Sequence, residues 1–376
     1  MKIIKHIARI LVGITFIFSG FVKGIDPLGS SYKFTDYFIA MGLDKLTVLS
    51  LTLGVLLAFA EFAIGVAMIF NIKIKFFSWL ALIFMICFTG LTLWIAIANP
   101  VTDCGCFGDA LVISNWQTFY KNIVLIVLAI IVFIYRKSFG HLLPTQLGYT
   151  AGIVVAFAYF SIVIYSYNHL PIFDFRPYKT GVNIPEAMST PADAPQAVYK
   201  NTFYYKSKKT GKIKKFTEKN YPWKDTLNWA YDHVDTKLIR EGYHPPIHDF
   251  TMESRDGDDA TDFFMQDTNY VFIMIAYDLS KTNTSNLDKI NTLANWATDN
   301  SMSFIGMTSS SFDESDAFKS QNNIPFEFFL CDEITLKTII RSNPGLIVVK
   351  GGTIVGKWHY HDIPSPEEFS KNFLNK

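Results

Sequence analysis

The sequence predicts a multi-domain chain: an α-helical transmembrane bundle of four helices plus a fifth linking span, followed by an α/β soluble domain. Three observations carry this. Half of the 376 residues are hydrophobic and only 18% are charged, and the apolar residues concentrate before Tyr167. Five apolar runs in that stretch approach the roughly 20 residues that a spanning helix needs. Beyond Pro245, short apolar runs typical of strands buried on both faces alternate with segments of helical period. The expected boundaries are 1–140 for the bundle, 141–169 for the fifth span, 170–244 for a linker with a basic hairpin and a helix, and 245–376 for the α/β domain.

The predicted spans are residues 7–22, 46–70, 76–98, 119–135 and 147–167. Lys2, Lys5 and Arg9 stand at the amino end of the first run, and no small-residue cleavage site occurs before Lys23, so a retained first helix is expected. Lys73 and Lys75 join the second and third spans, and Arg136, Lys137 and His141 join the fourth and fifth. These basic segments fall on one side, which the positive-inside rule makes cytoplasmic. The loop carrying Cys104 and Cys106 has Asp103 and Asp109 but no basic residue, so it is expected outside. Five spans then put the soluble domain outside too. The expectation is a multi-pass protein of the inner (cytoplasmic) membrane, in contact with membrane lipid, with a cytoplasmic amino terminus and a periplasmic soluble domain. Both parts would share an oxidising compartment. A net charge of +1 gives no nucleic-acid footprint.

Residues 201–219 read as two strands around Lys209-Thr210-Gly211-Lys212, a lysine-rich hairpin. Residues 223–241 read as a helix. Then follow strand 270–276, a helix begun by Ser285 with Asp288 three residues on, strand 303–307, helix 313–321, strand 326–331, helix 334–340, and strands 346–349 and 353–360 around Gly351-Gly352. The last helix has a full start signal: Ser365 as cap, Pro366 first and Glu368 third. A βαβ unit followed by ββα is the order of a thioredoxin-like domain.

Four cysteines are too few for a disulfide scaffold. Cys104 and Cys106, with one glycine between them, can close a small ring that departs from relaxed disulfide geometry, which favours a reversible dithiol/disulfide. Gly105 and Gly108 supply a tight turn. A permanent structural staple is the other reading of the pair. Thiolates also suit Cu(I) or Zn(II), but no histidine is near to complete a site, so no metal is expected. Glu61 lies inside the second span, where an ionisable side chain is costly and usually faces the bundle interior. It is expected to handle protons or grip a quinone-like ligand, or to pair with Lys23 or with hydroxyls such as Thr89 and Thr92. Asp26 is grouped with Lys23 as polar support. Cys331 ends a strand and is weighed as a resolving thiol against a half-buried cysteine. Cys87 is read as core, and His359 with His361 as a pair lacking a third metal ligand.

Two resemblances extend this. The segment from Ile10-Leu11-Val12-Gly13 to Phe18-Ser19-Gly20-Phe21-Val22-Lys23-Gly24-Ile25-Asp26-Pro27 resembles the opening of the DoxX family of membrane proteins. Glu61-Phe62-Ala63-Ile64-Gly65 looks like that family's second landmark. Asp103-Cys104-Gly105-Cys106-Phe107-Gly108 is similar to the motif of the MauE branch, whose members are redox-associated. Together they cover about residues 1–140 and imply thiol–disulfide exchange or electron transfer in the membrane, with Cys104 and Cys106 as the pair. From about Pro245 onward, Arg341-Ser342-Asn343-Pro344-Gly345 resembles the cis-proline segment of thioredoxin-like proteins, which makes Pro344 that proline. The Cys-x-x-Cys of working members is missing: Ala276-Tyr277-Asp278-Leu279-Ser280-Lys281 stands there instead. The domain is therefore expected to dock an unknown periplasmic client or redox partner, not to react. A non-catalytic membrane scaffold or maturation factor with a structural disulfide is the alternative. DoxX relatives that partner oxidoreductases imply a further one, a quinone-reactive subunit.

Overall fold

The computed structural model describes residues 2–140 and 145–375. His141 lies outside them. The chain divides into two units, one of residues 1–182 with 250–376 and one of residues 183–249.

The first unit begins with α1 (Lys2–Ile25), α2 (Pro27–Ala40), α3 (Ser50–Phe70, preceded by a 3₁₀ turn from Asp44), α4 (Ile74–Ala98), α5 (Asn115–Ile134) and α6 (Thr145–Asn168). Among the described residues five helices, all but α2, are long and apolar enough to cross a membrane. Those five are the predicted spans. The chain is a multi-pass membrane protein. The sequence reading passed over α2, although Asp26 caps it by accepting from the Gly29 N–H at 2.9 Å and Pro27 occupies its first position. Its mixed composition gives neither a span nor a clean amphipathic stripe.

Helices α1 and α3 pack backbone to backbone. A Cβ on Gly20 would stand 2.5 Å from the Ala58 carbonyl oxygen, and one on Gly65 would stand 2.5 Å from the Ile17 nitrogen. Small residues at such crossings drive association where lipid removes the hydrophobic incentive. Val12, Ile64, Met68, Ala81, Met85, Leu125 and Ala129 fill the centre of the bundle.

The second unit holds α7 (Ile184–Met188) and an antiparallel sheet of β1 (Val198–Ser207), β2 (Ile213–Thr217) and β3 (Trp229–Arg240), in the order β2-β1-β3. The predicted hairpin is present, with Gly211 at φ +71° in its turn. The predicted helix over 223–241 is not; β3 occupies most of that stretch. Its apolar spacing mimics a helix, but cross-strand pairing decides. Tyr205 pairs with Tyr231, Phe203 pairs with Val234, and Tyr204 stacks on His233 at 4.2 Å.

The α/β part of the first unit runs α8 (Thr261–Met265), β4 (Tyr270–Ile275), α9 (Leu287–Asp299), β5 (Ser303–Thr308), α10 (Phe312–Asn322), β6 (Phe328–Leu330), α11 (Glu333–Ile339), β7 (Gly345–Lys350), β8 (Thr353–His359) and α12 (Pro366–Phe369). The sheet order is β6-β5-β4-β7-β8, parallel through β6, β5 and β4 and antiparallel from β4 to β8. This is the thioredoxin-like arrangement. Phe272, Met274, Ile290, Leu293 and Phe369 build its core. The start of α9 differs from the prediction: Asn283 Oδ1 takes both the N–H and the hydroxyl of Ser285, so the helix begins two residues later. The caps at Ser311 and Ser365 are complete capping boxes.

Candidate redox site at the mouth of the bundle

The loop between α4 and α5 is pinned at its base. Asn115 Nδ2 donates to Asn99 Oδ1 at 2.9 Å and to the Val101 carbonyl at 3.0 Å. Asp103 then shapes the thiol turn, accepting from the Gly105 N–H at 2.8 Å while Lys33 Nζ holds its other oxygen at 2.7 Å. Gly105 sits at φ +63°, and a Cβ there would meet the Lys33 side chain at 2.9 Å. Both chain direction and space therefore call for glycine.

This turn places Cys104 Sγ and Cys106 Sγ 2.8 Å apart, either able to donate to the other. Cys104 is buried, and the Tyr37 hydroxyl donates to its carbonyl; Cys106 is half-buried. The hydrogen bond from Cys104 pushes the Cys106 thiol down to about 6 against the opposing effect of burial, and the Lys121 and Lys23 cations add to the lowering. Cys104 moves upward, first because of the same hydrogen bond and then because of burial. The more accessible sulfur is thus the better thiolate.

Beneath the pair, Lys23 Nζ contacts both oxygens of Glu61 at 2.9 Å. Ser19 Oγ lies 2.8 Å from Glu61 Oε2 and 2.7 Å from the Cys106 carbonyl, donating to one at a time. The structure therefore joins Glu61, Lys23 and the thiol turn through a serine that sequence reasoning did not single out. Thr89 and Thr92 are not partners of Glu61; both hydroxyls donate to carbonyls of their own helix. Asp26 does not support the thiols directly either. It pairs with Arg341 Nε at 3.0 Å.

That pair is half of a clasp. Arg341 Nη2 also reaches Asp109 Oδ2 at 2.9 Å, and the Tyr277 and Tyr32 hydroxyls meet at 3.1 Å. Burial opposes ionisation of Asp26, yet Arg341 and Arg176 hold its carboxyl below the usual range. Burial pushes Asp109 upward. Between the thiol turn, α2, α3, α4 and α11 lies a cavity of about 580 Å³, lined by Cys104 and Cys106 together with Tyr37, Phe88, Leu91 and Lys337. A second cavity of about 40 Å³ inside the bundle is lined by Ser19, Glu61, Cys106, Phe107, Lys121 and Asn122.

In the α/β part, Asp278 caps the 3₁₀ turn Leu279–Lys281 where the cysteine pair of a working thioredoxin would stand. Asn343 Nδ2 donates to the Asp278 carbonyl at 2.9 Å, and the Asn343–Pro344 peptide is cis. Cys331 follows β6, separated from β4 by β5, and does not line the thiol cavity. Cys87 is exposed on α4 and not core, because Ala81, Met85, Thr92 and Ile95 form the buried stripe of that helix. His359 and His361 stand 4.8 Å apart between ring centroids, and His169 pairs with Asp362 beside them. Among the described residues no group of three or more His, Cys, Asp or Glu is arranged to hold a metal ion.

Two sequence matches bear on these parts. Residues 1–135 match the family described as methylamine utilisation protein MauE. The match covers the bundle through the whole thiol turn and stops short of the α/β part. The likeness to DoxX rests on the quoted motifs alone. Residues 199–241, the three-stranded sheet, match a domain of unknown function, DUF8463. No curated protein sequence matches the chain. Two solved structures are similar to it in part. One is a solution structure from Bacteroides thetaiotaomicron whose description names a protein disulfide isomerase. It is 16% identical with a TM-score of 0.26, over 34% of this chain and 82% of that one. The other is a secreted Mycobacterium tuberculosis disulfide oxidoreductase homologous to E. coli DsbE. It is 13% identical with a TM-score of 0.26, over 34% of this chain and 96% of that one.

Proposed function

We propose that the chain carries out thiol–disulfide exchange at the outer face of the inner membrane through Cys104 and Cys106, with the α/β part forming the far wall of the reaction cavity. The observation that carries this reading is the position of the two sulfurs. They lie 2.8 Å apart on the wall of a large cavity, backed by the buried Lys23–Glu61 pair. Cys106 attacks a client disulfide sulfur as the thiolate and expels the client's other sulfur. Cys104 then attacks the mixed disulfide at Cys106 Sγ, closing Cys104–Cys106 and releasing the reduced client; the reverse sequence oxidises a client. Glu61, which lines the small cavity with Cys106, accepts the thiol proton. From the sequence, Cys104 is expected to be the attacking thiol, trapped when Cys106 is replaced. The geometry favours the opposite assignment, so Cys104→Ser is the trapping variant. It should accumulate a mixed disulfide that Cys106→Ser does not. Equal trapping by both variants would refute the assignment, and trapping by neither would refute the exchange.

The cavity also favours a lipid-soluble electron acceptor of the quinone class. Its apolar end, with Leu57 of α3 and with Phe88 and Leu91 of α4, lies at membrane depth where these half-exposed side chains leave the bundle open. Oxidation of the pair would break two S–H bonds, form one S–S bond and pass two electrons and two protons to the quinone oxygens, giving the quinol. Reduced protein mixed with a short-tailed ubiquinone should lose its two thiols as quinol appears. Unchanged thiols, in a sample that diamide still oxidises, would rule this acceptor out.

A further inference from the structure

Lys121 lies within the apolar run of α5, in a helix that crosses the membrane. A cation there is costly and is normally neutralised by an acid. Yet Lys121 has no ion pair among the described residues, while Lys23 is committed to Glu61 at 2.9 Å. Its ammonium stands instead over the Phe107 ring, 4.1 Å from the centroid, next to the thiol turn. It shares the cavity of about 40 Å³ with Cys106 and Glu61, a space roomy enough for a water. The contact between the sulfurs stabilises whichever thiolate forms, because either atom can donate, so the groups around the pair decide which sulfur gives up its proton. Tyr37 holds the Cys104 carbonyl and also reaches the Cys104 thiol, and Lys33 holds the flank of the turn; neither is a cation facing Cys106.

We propose that Lys121 is the positioning residue that selects Cys106 as the attacking sulfur, its ammonium supplying across the small cavity the counter-charge for the Cys106 thiolate. The proposal rests on the thiol-exchange reading. When Cys106 gives up its proton, the cation in α5 gains the partner that it otherwise lacks. Phe107 fixes the ammonium beside the sulfur by its electron-rich face. Of the two cysteines Cys106 lines the small cavity with Lys121 and Cys104 does not, whereas Lys23 acts on both sulfurs. Lys121 is thus the group that breaks their symmetry.

The test is alkylation of the full chain by iodoacetamide over a range of pH, in a background with Cys87→Ser and Cys331→Ser, with labelled peptides quantified by mass spectrometry. The unmodified chain should label Cys106 far ahead of Cys104, with a midpoint below that of an ordinary thiol. Lys121→Met should raise that midpoint by about one unit or more and bring labelling of the two cysteines towards parity. Lys121→Arg should keep both features of the unmodified chain. If Lys121→Met does not insert, Lys121→Gln is read in the same way. An unchanged midpoint and an unchanged preference for Cys106 in a folded variant without the cation would overturn the proposal. A Cys106 unreactive in the unmodified chain, at every pH, would overturn the thiol-exchange reading and this proposal with it.

Discussion

Glu61 and Lys23 show what a single buried pair does in this bundle. Their side chains are 8% and 11% exposed, and Ser19 completes the carboxylate's hydrogen bonding. Removing one partner leaves an uncompensated charge, so Glu61→Leu is expected to cost about 3 kcal/mol or more. The double replacement with Lys23→Met should recover most of that loss. Thermal unfolding of the purified chain reads both values. Equal melting temperatures for the unmodified chain and Glu61→Leu would show that the pair is not structural. The pair was legible in the sequence because a lone glutamate in an apolar run demands a partner, and Lys23 stands in the last turn of its helix. Ser19 was not, since a serine in a span is ordinarily satisfied by its own backbone. Lys121 carries the same signal as Glu61, but at position three of the predicted fourth span it passes for a flanking charge.

At the scale of elements, the spans were legible because a run of some 20 apolar residues has one solution in a bilayer. The crossing of α1 on α3 depends on glycines that a hydropathy reading does not weigh. Gly20→Leu is expected to force the two backbones apart, moving Ser19 and Lys23 away from Glu61 and lowering the yield of folded protein severalfold. Gly90→Leu on α4, with nothing within 4 Å of its added Cβ, should be tolerated. Size-exclusion profiles of the two variants in one detergent give the comparison. Similar loss for both would mean that the close approach is not the reason. The strand at 229–240 differs in kind: Leu227, Ala230, Val234 and Leu238 satisfy a helical stripe, and only the partner strand β1 tells which period wins. Helix α2 escapes a hydropathy reading because its mixed composition gives no span, although Asp26 and Pro27 mark its start.

For the whole molecule, the order of parts was legible, but the clasp between them was not. Arg341 sits in the segment noted for Pro344, and nothing in a linear reading brings it to Asp26 and Asp109, 315 and 232 residues away. The folded Asp26 carboxyl ionises below its unfolded value, so its contribution to stability is present in full above about pH 4. It is lost as the pH falls through the lower folded value. Hydrogen exchange across α2 and α11 should therefore quicken together on acidification, and Arg341→Met should show the same quickening at neutral pH. Exchange that stays slow in that variant would mean the clasp holds nothing. Orientation is checked by reporters fused after Lys75, Ala110, Lys137 and Lys376, which should read inside, outside, inside and outside. The α/β part has no cysteine pair at Asp278–Lys281, so exchange must be abolished by Cys104→Ser with Cys106→Ser. If the pair carries the exchange, it must cycle. Acid-quenched alkylation with a heavy maleimide, in cells carrying Cys87→Ser and Cys331→Ser, counts its free thiols directly. Reduced and oxidised forms should coexist, in a ratio that moves between oxidising and reducing growth. A single oxidised form that never changes would contradict the exchange.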